Sequence, residues 1–582
     1  MTPLCEEQVI AIPIGLKPDG IGGAFMLSYR VLFLWLIAAT AGLAPLSPFG
    51  SVSASEEAAY DLSQYSAAAD ALAAGEALET SREWPKAIDL YEAALKKWDK
   101  DGPLTYALRR TRIHFGIDRR YADRSFEEKL LVQGRSESLD LLDDILSHVQ
   151  FEYVEPVSVT RLVSHGTESL YMALGNEKFL KKNLPNDNNP GIERVRNTLL
   201  KEYWNFRVQN RQEARAHVSR ICDIARRETG ISDTPVVMEY IFGICNALDE
   251  YSNFMTPDRY SDLFGSIQGE LVGIGIEMKE EKGRGMHLLN VLLDSPAEQG
   301  GLLPEDFITA VDGVDCRDMS TDDCAKLLKG QAGSRVTLTW ETPEGKSRTG
   351  DFVRQRVVIR SITKAVMLDE RAGIGYIQMK GFQNTTAEEL DDALRKLERQ
   401  GMRALIWDLR GNPGGLLETA AAVLDRFIDS DEHNGVLVST RGRSPEQNQV
   451  FRSHALNTRN YPLVLVVDGD SASASEIVAG AIHDHRRGTI VGRRTYGKWS
   501  VQSIIHLPGE TGLKLTTAKF YSPADGNYSG RGIEPDVDVP APDELRKASK
   551  FPGRRDSVES LLTEPEIARS LEILEGRLTT KQ

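Results

Sequence analysis

Leu463-Val-Leu-Val-Val-Asp-Gly-Asp-Ser-Ala-Ser-Ala-Ser-Glu-Ile-Val478 runs from a wholly apolar segment into a turn and then into a helical pattern. Leu463–Val467 has the character of a strand buried on both faces of a parallel sheet. Asp468-Gly469-Asp470 is a turn signal. From Ser475 onward, Glu476, Ile477, Val478, Ala481 and Ile482 give a helix with an apolar stripe. Ser473 therefore falls at a strand-to-helix corner, near a helix N-terminus where free amides and the helix dipole favour developing negative charge. The Ala474 amide is the natural first donor to such a charge. A serine at this place ordinarily just caps the helix; two further segments make it a candidate nucleophile.

The first is Thr495-Tyr-Gly-Lys-Trp-Ser-Val-Gln502. A serine hydroxyl needs a base to take its proton, and a buried lysine can serve because desolvation lowers its pKa towards neutrality. If this segment is a strand, Lys498 and Gln502 project from one face, and Gln502 holds the Lys498 amine towards Ser473. An isolated lysine is by default a solvated one, so the assignment requires Lys498 to be buried. The second segment is the apolar strand Ala404-Leu-Ile-Trp-Asp408, followed by Leu409-Arg-Gly-Asn-Pro-Gly-Gly-Leu-Leu417. Its glycines allow backbone amides close approach, and Gly414 or Gly415 is the candidate second oxyanion donor. A phosphate cradle is the other use of such a loop, but no Gly-Lys-Ser/Thr follows.

Taken in order, Asp408-Leu-Arg-Gly-Asn-Pro-Gly-Gly415, Gly469-Asp-Ser-Ala-Ser-Ala-Ser-Glu476 and Gly497-Lys-Trp-Ser-Val-Gln502 resemble the motifs of the C-terminal processing (tail-specific) peptidases. Leu513-Lys-Leu-Thr-Thr-Ala-Lys-Phe-Tyr521 and Gly532-Ile-Glu-Pro-Asp536 extend the resemblance, which covers roughly 235–540. It implies a Ser473 nucleophile, a Lys498 base, Gln502 as the partner that positions the lysine, and an oxyanion hole from the Ala474 amide plus a glycine of the 411–415 loop. It also implies an S41-type core of crotonase-like ββα architecture over 357–541. Asp484, in His483-Asp-His485, matches an acidic residue that has been assigned to the site in some members, and is read here as structural. Trp499 departs from the small residue of many relatives and is expected to narrow the substrate cleft.

Residues 266–356 resemble a PDZ domain. Leu271-Val-Gly-Ile-Gly-Ile276 stands where such domains have a carboxylate-binding loop and a strand. Amides of Gly273, Ile274, Gly275 and Ile276 would hold a peptide C-terminus while the peptide adds a strand to the sheet edge. Thr321-Asp-Asp-Cys-Ala-Lys-Leu-Leu328 would be the helix flanking that groove. In the family this domain captures the substrate tail and can control access to the active site.

At 582 residues the chain is long for one core, so several domains are expected. A formal net charge of −15 argues against a nucleic-acid partner. Arg30, the apolar Val31–Leu43 run and the small residues Val52-Ser-Ala54 follow the order of a secretory signal. The leader is therefore taken as 1–54, with Met26 the more usual start and cleavage near Ala54. The apolar run is short for a spanning helix, which needs about 20 residues, though an uncleaved anchor is the alternative. Gly75, Leu78, Ala87, Tyr91 and Ala94 have tetratricopeptide-like spacing, with helices about 70–80 and 84–98 in a region 55–135. Further helices occupy 136–265, and two more the tail 542–582. Cys222 and Cys245 sit in apolar helical patterns as core residues. Cys316 and Cys324 are close enough to pair in an oxidising compartment. Thr386-Ala-Glu-Glu389 opens a helix as a capping box, with Leu390, Leu394 and Leu397 on its inner face.

The expected protein is a multidomain α+β chain: N-terminal helices, a PDZ domain and an α/β serine peptidase core. It acts as an extracytoplasmic, periplasmic endopeptidase on proteins with exposed apolar C-terminal tails, without cofactor or metal, and with an adaptor possible at the N-terminal helices. Two rivals were weighed. A Ser-His-Asp hydrolase would draw on His483, His485 or His506, but Gly469-Asp-Ser-Ala-Ser473 is not a G-x-S-x-G elbow. A non-catalytic or latent peptide-binding scaffold is the other.

Overall fold

The computed structural model describes residues 35–36, 62–184, 189–292, 294–429, 432–455, 458–540 and 558–580. The expected leader and its cleavage site lie outside these, apart from Trp35–Leu36, whose backbone pairs antiparallel with Ser503 and Gln502. No helix among the described residues is long and apolar enough to cross a membrane.

Apolar strands that can be buried on both faces build the centre of the peptidase region. In sheet order they are Ile362–Asp369, Ile374–Met379, Ala404–Asp408, Leu463–Val467, Thr489–Gly492 and Val537–Asp538. The first pair is antiparallel and the others run parallel. The helices Thr386–Arg399, Leu417–Leu424 and Ala474–Asp484 cover one face, packing Leu394, Val423 and Ile477 around Trp407 and Leu465. The other face is covered from the tail: Leu561, Ile567 and Leu574 cluster with Tyr376, Ile406 and Val464. Both faces being dry explains why these strands read as continuous hydrophobic runs. Thr386 is not the cap expected of it. The helix begins at Thr386 after Thr385, and the buried Thr386 hydroxyl instead accepts from the Gln383 amide at 2.7 Å. Leu390, Leu394 and Leu397 are buried on the inner face.

A second, antiparallel sheet carries Ser500–Leu507 against Thr511–Tyr521, then Val436–Gly442 and Gln449–Arg452. Asn253–Met255 pairs with the Thr511–Tyr521 strand, putting Asn253 opposite Lys514. Through this sheet the N-terminal helices are joined to the peptidase. Leu507, Leu513 and Leu515 belong to the same core as Leu142, Leu162, Ile221 and Tyr240. Cys222 and Cys245 are buried in that core. Ahead of it, Ala68–Thr80, Trp84–Lys97 and Gly102–Arg120 pack as three consecutive helices. Gly75 is flush against Tyr91, so that a Cβ there would lie 2.2 Å from the ring. The 175–235 stretch, which had no sequence reading of its own, contains Glu177–Asn183, Gly191–Thr198 and Arg211–Thr229.

The PDZ sheet has the order Ile276–Glu281, Gly285–Val291, Phe307–Val311, Arg335–Glu341, Ser347–Val353. Ile276–Glu281 is an edge strand, so among the described residues its outer side has no sheet neighbour. Its far end is tied to the Thr321–Leu328 helix by two reciprocal bonds. The Glu280 amide donates to Thr321 Oγ1 (3.0 Å), and the Thr321 amide to Glu280 Oε2 (2.8 Å). Gly275 has φ +83° and meets Ser295, a close approach that only glycine permits. Gly273 stands apart from its neighbours: it pairs with Gln355 in the two-stranded ribbon that connects this domain to the peptidase. Cys316 and Cys324 are buried thiols with Sγ atoms 3.5 Å apart.

Trp499 does not reach a cleft. It is 1% exposed, stacks on Phe520 with centroids 4.6 Å apart and fits against Gly480 of the Ala474–Asp484 helix. The chain passes Lys498 and Trp499 to opposite sides, and the indole fills the core. Trp499→Ala should therefore destabilise by about 3–5 kcal/mol, as loss of a large buried aromatic does, and lower the melting temperature. Ratios of cleavage rates among peptides differing in side chain should not change, and a changed ratio would restore the cleft reading.

Candidate active site

Ser473 is the residue on which the corner turns. Its φ of +61° and ψ of −113° are unusual for a residue with a side chain, at a cost of roughly 1–3 kcal/mol. Ser473 is fully buried, and its Oγ has no hydrogen-bond partner among the described residues. The serines two positions away on either side are used structurally. Ser471 Oγ donates to the Leu409 carbonyl and Ser475 Oγ to the Asn412 carbonyl, both at 2.8 Å. Of the three, Ser473 alone keeps a hydroxyl uncommitted.

The strained corner is held by Glu476, one helical turn on. Its Oε2 accepts from the Ser473 amide at 2.9 Å and the Lys498 amide at 2.8 Å. Its Oε1 accepts from Thr495 Oγ1 at 2.7 Å and the Gly497 amide at 2.8 Å. One carboxylate oxygen thus joins the backbones of the candidate nucleophile and base. Burial pushes the Glu476 pKa up, and these bonds oppose it. Thr495 Oγ1 in turn accepts from the Ile533 amide at 2.7 Å. Gly532, with φ +70°, would clash with the Thr495 carbonyl if it bore a Cβ. The Gly532-Ile-Glu-Pro-Asp536 segment is therefore a backing for the lysine loop.

Lys498 lies just before its strand, which starts at Ser500 and has a bulge between Val501 and Gln502. It is 7% exposed, with Nζ 4.8 Å from the centre of the Tyr251 ring. Burial lowers its pKa to about 7; the nearby Lys514 charge lowers it further, against Asp249, Glu476 and Glu250. Lys514 is itself brought down to about 8 by burial. Gln502 is fully buried. Its Nε2 donates to Ser500 Oγ (2.9 Å) and Thr516 Oγ1 (3.2 Å), while its Oε1 has no hydrogen-bond partner among the described residues.

The glycine loop closes on the serine corner. Asn412 staples it: its carbonyl accepts from the Ala472 amide (3.1 Å), its Nδ2 donates to Met379 O (2.9 Å), and its Oδ1 accepts from the Gly414 amide (2.9 Å). Gly414, at φ +105°, comes so near that a Cβ on it would lie 2.8 Å from the Ala474 amide nitrogen. The Gly414 amide is thus engaged with the Asn412 side chain. Arg410, which heads this loop, is fixed on Asp408 and on two acids of the tail: Glu564 at 2.7 Å and Glu566 at 3.3 Å.

The histidines proposed for a Ser-His-Asp site are elsewhere. His483 and His485 end the helix that Ser473 begins, about 15 Å away along its axis. His485 Nε2 bonds to the Val436 carbonyl (2.7 Å) and His506 Nδ1 to Tyr260 Oη (3.2 Å). Asp484 shares that far end, where its Oδ2 accepts from the Ala524 amide at 2.8 Å.

A peptidase family S41 profile matches residues 373–539 and a PDZ domain profile 289–342. The chain is 35% identical over 347 residues to a carboxy-terminal-processing protease of Bartonella bacilliformis, spanning 58% of this chain and 78% of the relative. The chain belongs to the carboxy-terminal-processing protease family. A carboxyl-terminal-processing protease of Picosynechococcus sp. is 33% identical over 301 residues, 50% of this chain and 70% of that one. Among solved structures, a photosystem II D1 C-terminal processing protease is similar at 24% identity and a TM-score of 0.37, covering 72% of this chain and 96% of that chain. This carboxy-terminal-processing protease family member therefore combines a helical N-terminal region, a PDZ domain and an S41 core.

Sequence reading assigned no role to Glu476, Tyr251, Lys514 or the Glu564/Glu566 pair. For Glu476 a signal was present, since Ser473-Ala-Ser-Glu476 has capping-box spacing. Glu476→Gln turns an NH₂ towards backbone donors and should lower kcat about 10²-fold or more, with the fold retained by circular dichroism. Glu564→Gln with Glu566→Gln removes the tail's charged hold on Arg410, leaving it on Asp408, and should lower kcat more than it raises KM. An unchanged kcat in either variant would break the link between these carboxylates and the site.

Proposed function

We propose that this family member is an extracytoplasmic serine endopeptidase working by a Ser–Lys mechanism on proteins whose C-terminal tails its PDZ domain captures. One observation carries the reading most directly. The one uncommitted serine hydroxyl of Ser471, Ser473 and Ser475 sits on a backbone tied, through a single Glu476 oxygen, to a buried lysine of depressed pKa. Ser473 Oγ attacks the scissile carbonyl, and its proton passes to neutral Lys498. The tetrahedral oxyanion is received by the Ala474 and Gly415 amides. The C–N bond then breaks as Lys498 returns the proton to the leaving amine. Water, deprotonated by the same lysine, releases the acyl group and regenerates Ser473. Gln502 Oε1 is assigned to receive the ammonium while it holds the proton.

The edge strand Ile276–Glu281 and the loop Ile274-Gly275 before it support tail capture by strand addition. Gly273 is withdrawn from that role by its pairing with Gln355. The extracytoplasmic location rests on the leader, Arg30 with the Val31–Leu43 run and the small residues before Ala54.

The test is cleavage of an unfolded protein with an apolar C-terminus. Ser473→Ala should lose about 10⁴-fold or more of kcat, and Lys498→Arg, which cannot deprotonate, should be as inactive. Activity requires the neutral amine, so kcat/KM should fall about tenfold per pH unit below about 7 and level off above it. Equal cleavage by the serine variant, or a profile flat through pH 7, would remove this mechanism.

A further inference from the structure

Away from the peptidase loops, the Gly102–Arg120 helix and the start of the Pro257–Gln268 helix enclose a cavity of about 20 Å³. It is lined by Arg112, Arg119, Arg120 and Arg259, together with Asn246 and Phe254. Positions 112, 119 and 120 fall on one face of their helix. Gly116 lies between them on the same face and leaves room where a side chain would fill the space.

Arg120 is the informative member. It is 4% exposed, and its guanidinium carbon lies 4.0 Å from the centre of the Phe242 ring. Its Nη2 reaches Glu239 Oε2 at a long 3.5 Å. Its Nε and Nη1 are buried with no hydrogen-bond partner among the described residues. A buried cation with idle donors is costly unless something accepts from them. The neighbouring carboxylates have contacts of their own. Glu239 Oε2 takes the Ser169 hydroxyl at 2.8 Å, while its Oε1 has no hydrogen-bond partner among the described residues. Asp123 takes those of Ser125 and Thr256 and stands 3.8 Å from Arg259. Glu92 pairs with Arg112. The cavity exceeds the roughly 10–15 Å³ that one water needs, and is far too small for a nucleotide or a folded segment. Guanidinium groups match the planar or tetrahedral oxygens of carboxylate and phosphate.

We propose that this cavity is a binding site for one small oxyanion group, a carboxylate or a phosphate, held by Arg112, Arg119, Arg120 and Arg259. The site is contiguous in chain with Tyr251, whose ring meets the candidate base. From Asn246 the segment passes Tyr251, whose ring contacts Lys498, and returns to the cavity at Phe254.

The experiment is a thermal-shift titration of the full chain with inorganic phosphate and, separately, acetate, at constant ionic strength set with chloride. A saturable rise in melting temperature with one anion, absent with chloride, is expected, and the anion that acts at lower concentration identifies the ligand's chemistry. Arg120→Gln should abolish the rise. Because Arg120 packs on Phe242 and that variant can fail to fold, Arg112→Gln and Arg259→Gln serve as the second pair, and each should weaken the apparent affinity about tenfold or more. No saturable shift with either anion, or the same midpoint in the arginine variants, overturns the site.

Discussion

A single buried carboxylate holds the centre of this protein together. Glu476 accepts the amides of Ser473, Gly497 and Lys498 and the hydroxyl of Thr495. Hydrogen bonds to a charged acceptor are each worth about 1.5–3 kcal/mol, and these four work against the strain at Ser473 and the burial of the acid. The positive φ at Ser473 takes its hydroxyl out of capping geometry, and the same carboxylate brings the lysine segment to the strand-to-helix corner. The Gly532–Ile533 backing, acting through Thr495, extends this fixation to the far side of the core.

Burial does opposite work on the two ionisable groups involved. Burial pushes the Glu476 pKa up, and four donors oppose that push. Lys498 is buried beside Tyr251 and near a second lysine, and that environment lowers its affinity for a proton. The acids Asp249 and Glu250 oppose this, leaving the amine near neutrality. The segment that supplies Asp249, Glu250 and Tyr251 belongs to the helical region before the PDZ domain, so the base's environment is completed by residues distant in sequence. The tail does the equivalent for the glycine loop, through Glu564 and Glu566 on Arg410.

Much of this was legible beforehand. The runs at 404–408 and 463–467 announced parallel strands because a two-sided burial leaves no alternation. The helical pattern after Ser475 and the Gly75–Tyr91 spacing announced their helices for the same kind of reason. Less legible were residues whose direction depends on partners. Trp499 looked like a cleft residue but faces Phe520. Gln502 follows a bulge in its strand, and its Nε2 bonds to Ser500 and Thr516. Thr386 looked like a cap and is instead a buried acceptor for Gln383.

The sequence by itself determined the order of domains, the central strands and the three motif segments in which Ser473, Lys498 and the Gly414–Gly415 pair occur, because local periodicity and short-range spacing encode them. Only the tertiary structure decided which oxygen joins Ser473 to Lys498, that the Gly414 amide is engaged, and that Glu564, Lys514 and Arg120 stand where they do. Those contacts join groups brought together by packing and burial, and a one-dimensional pattern carries no distance between them.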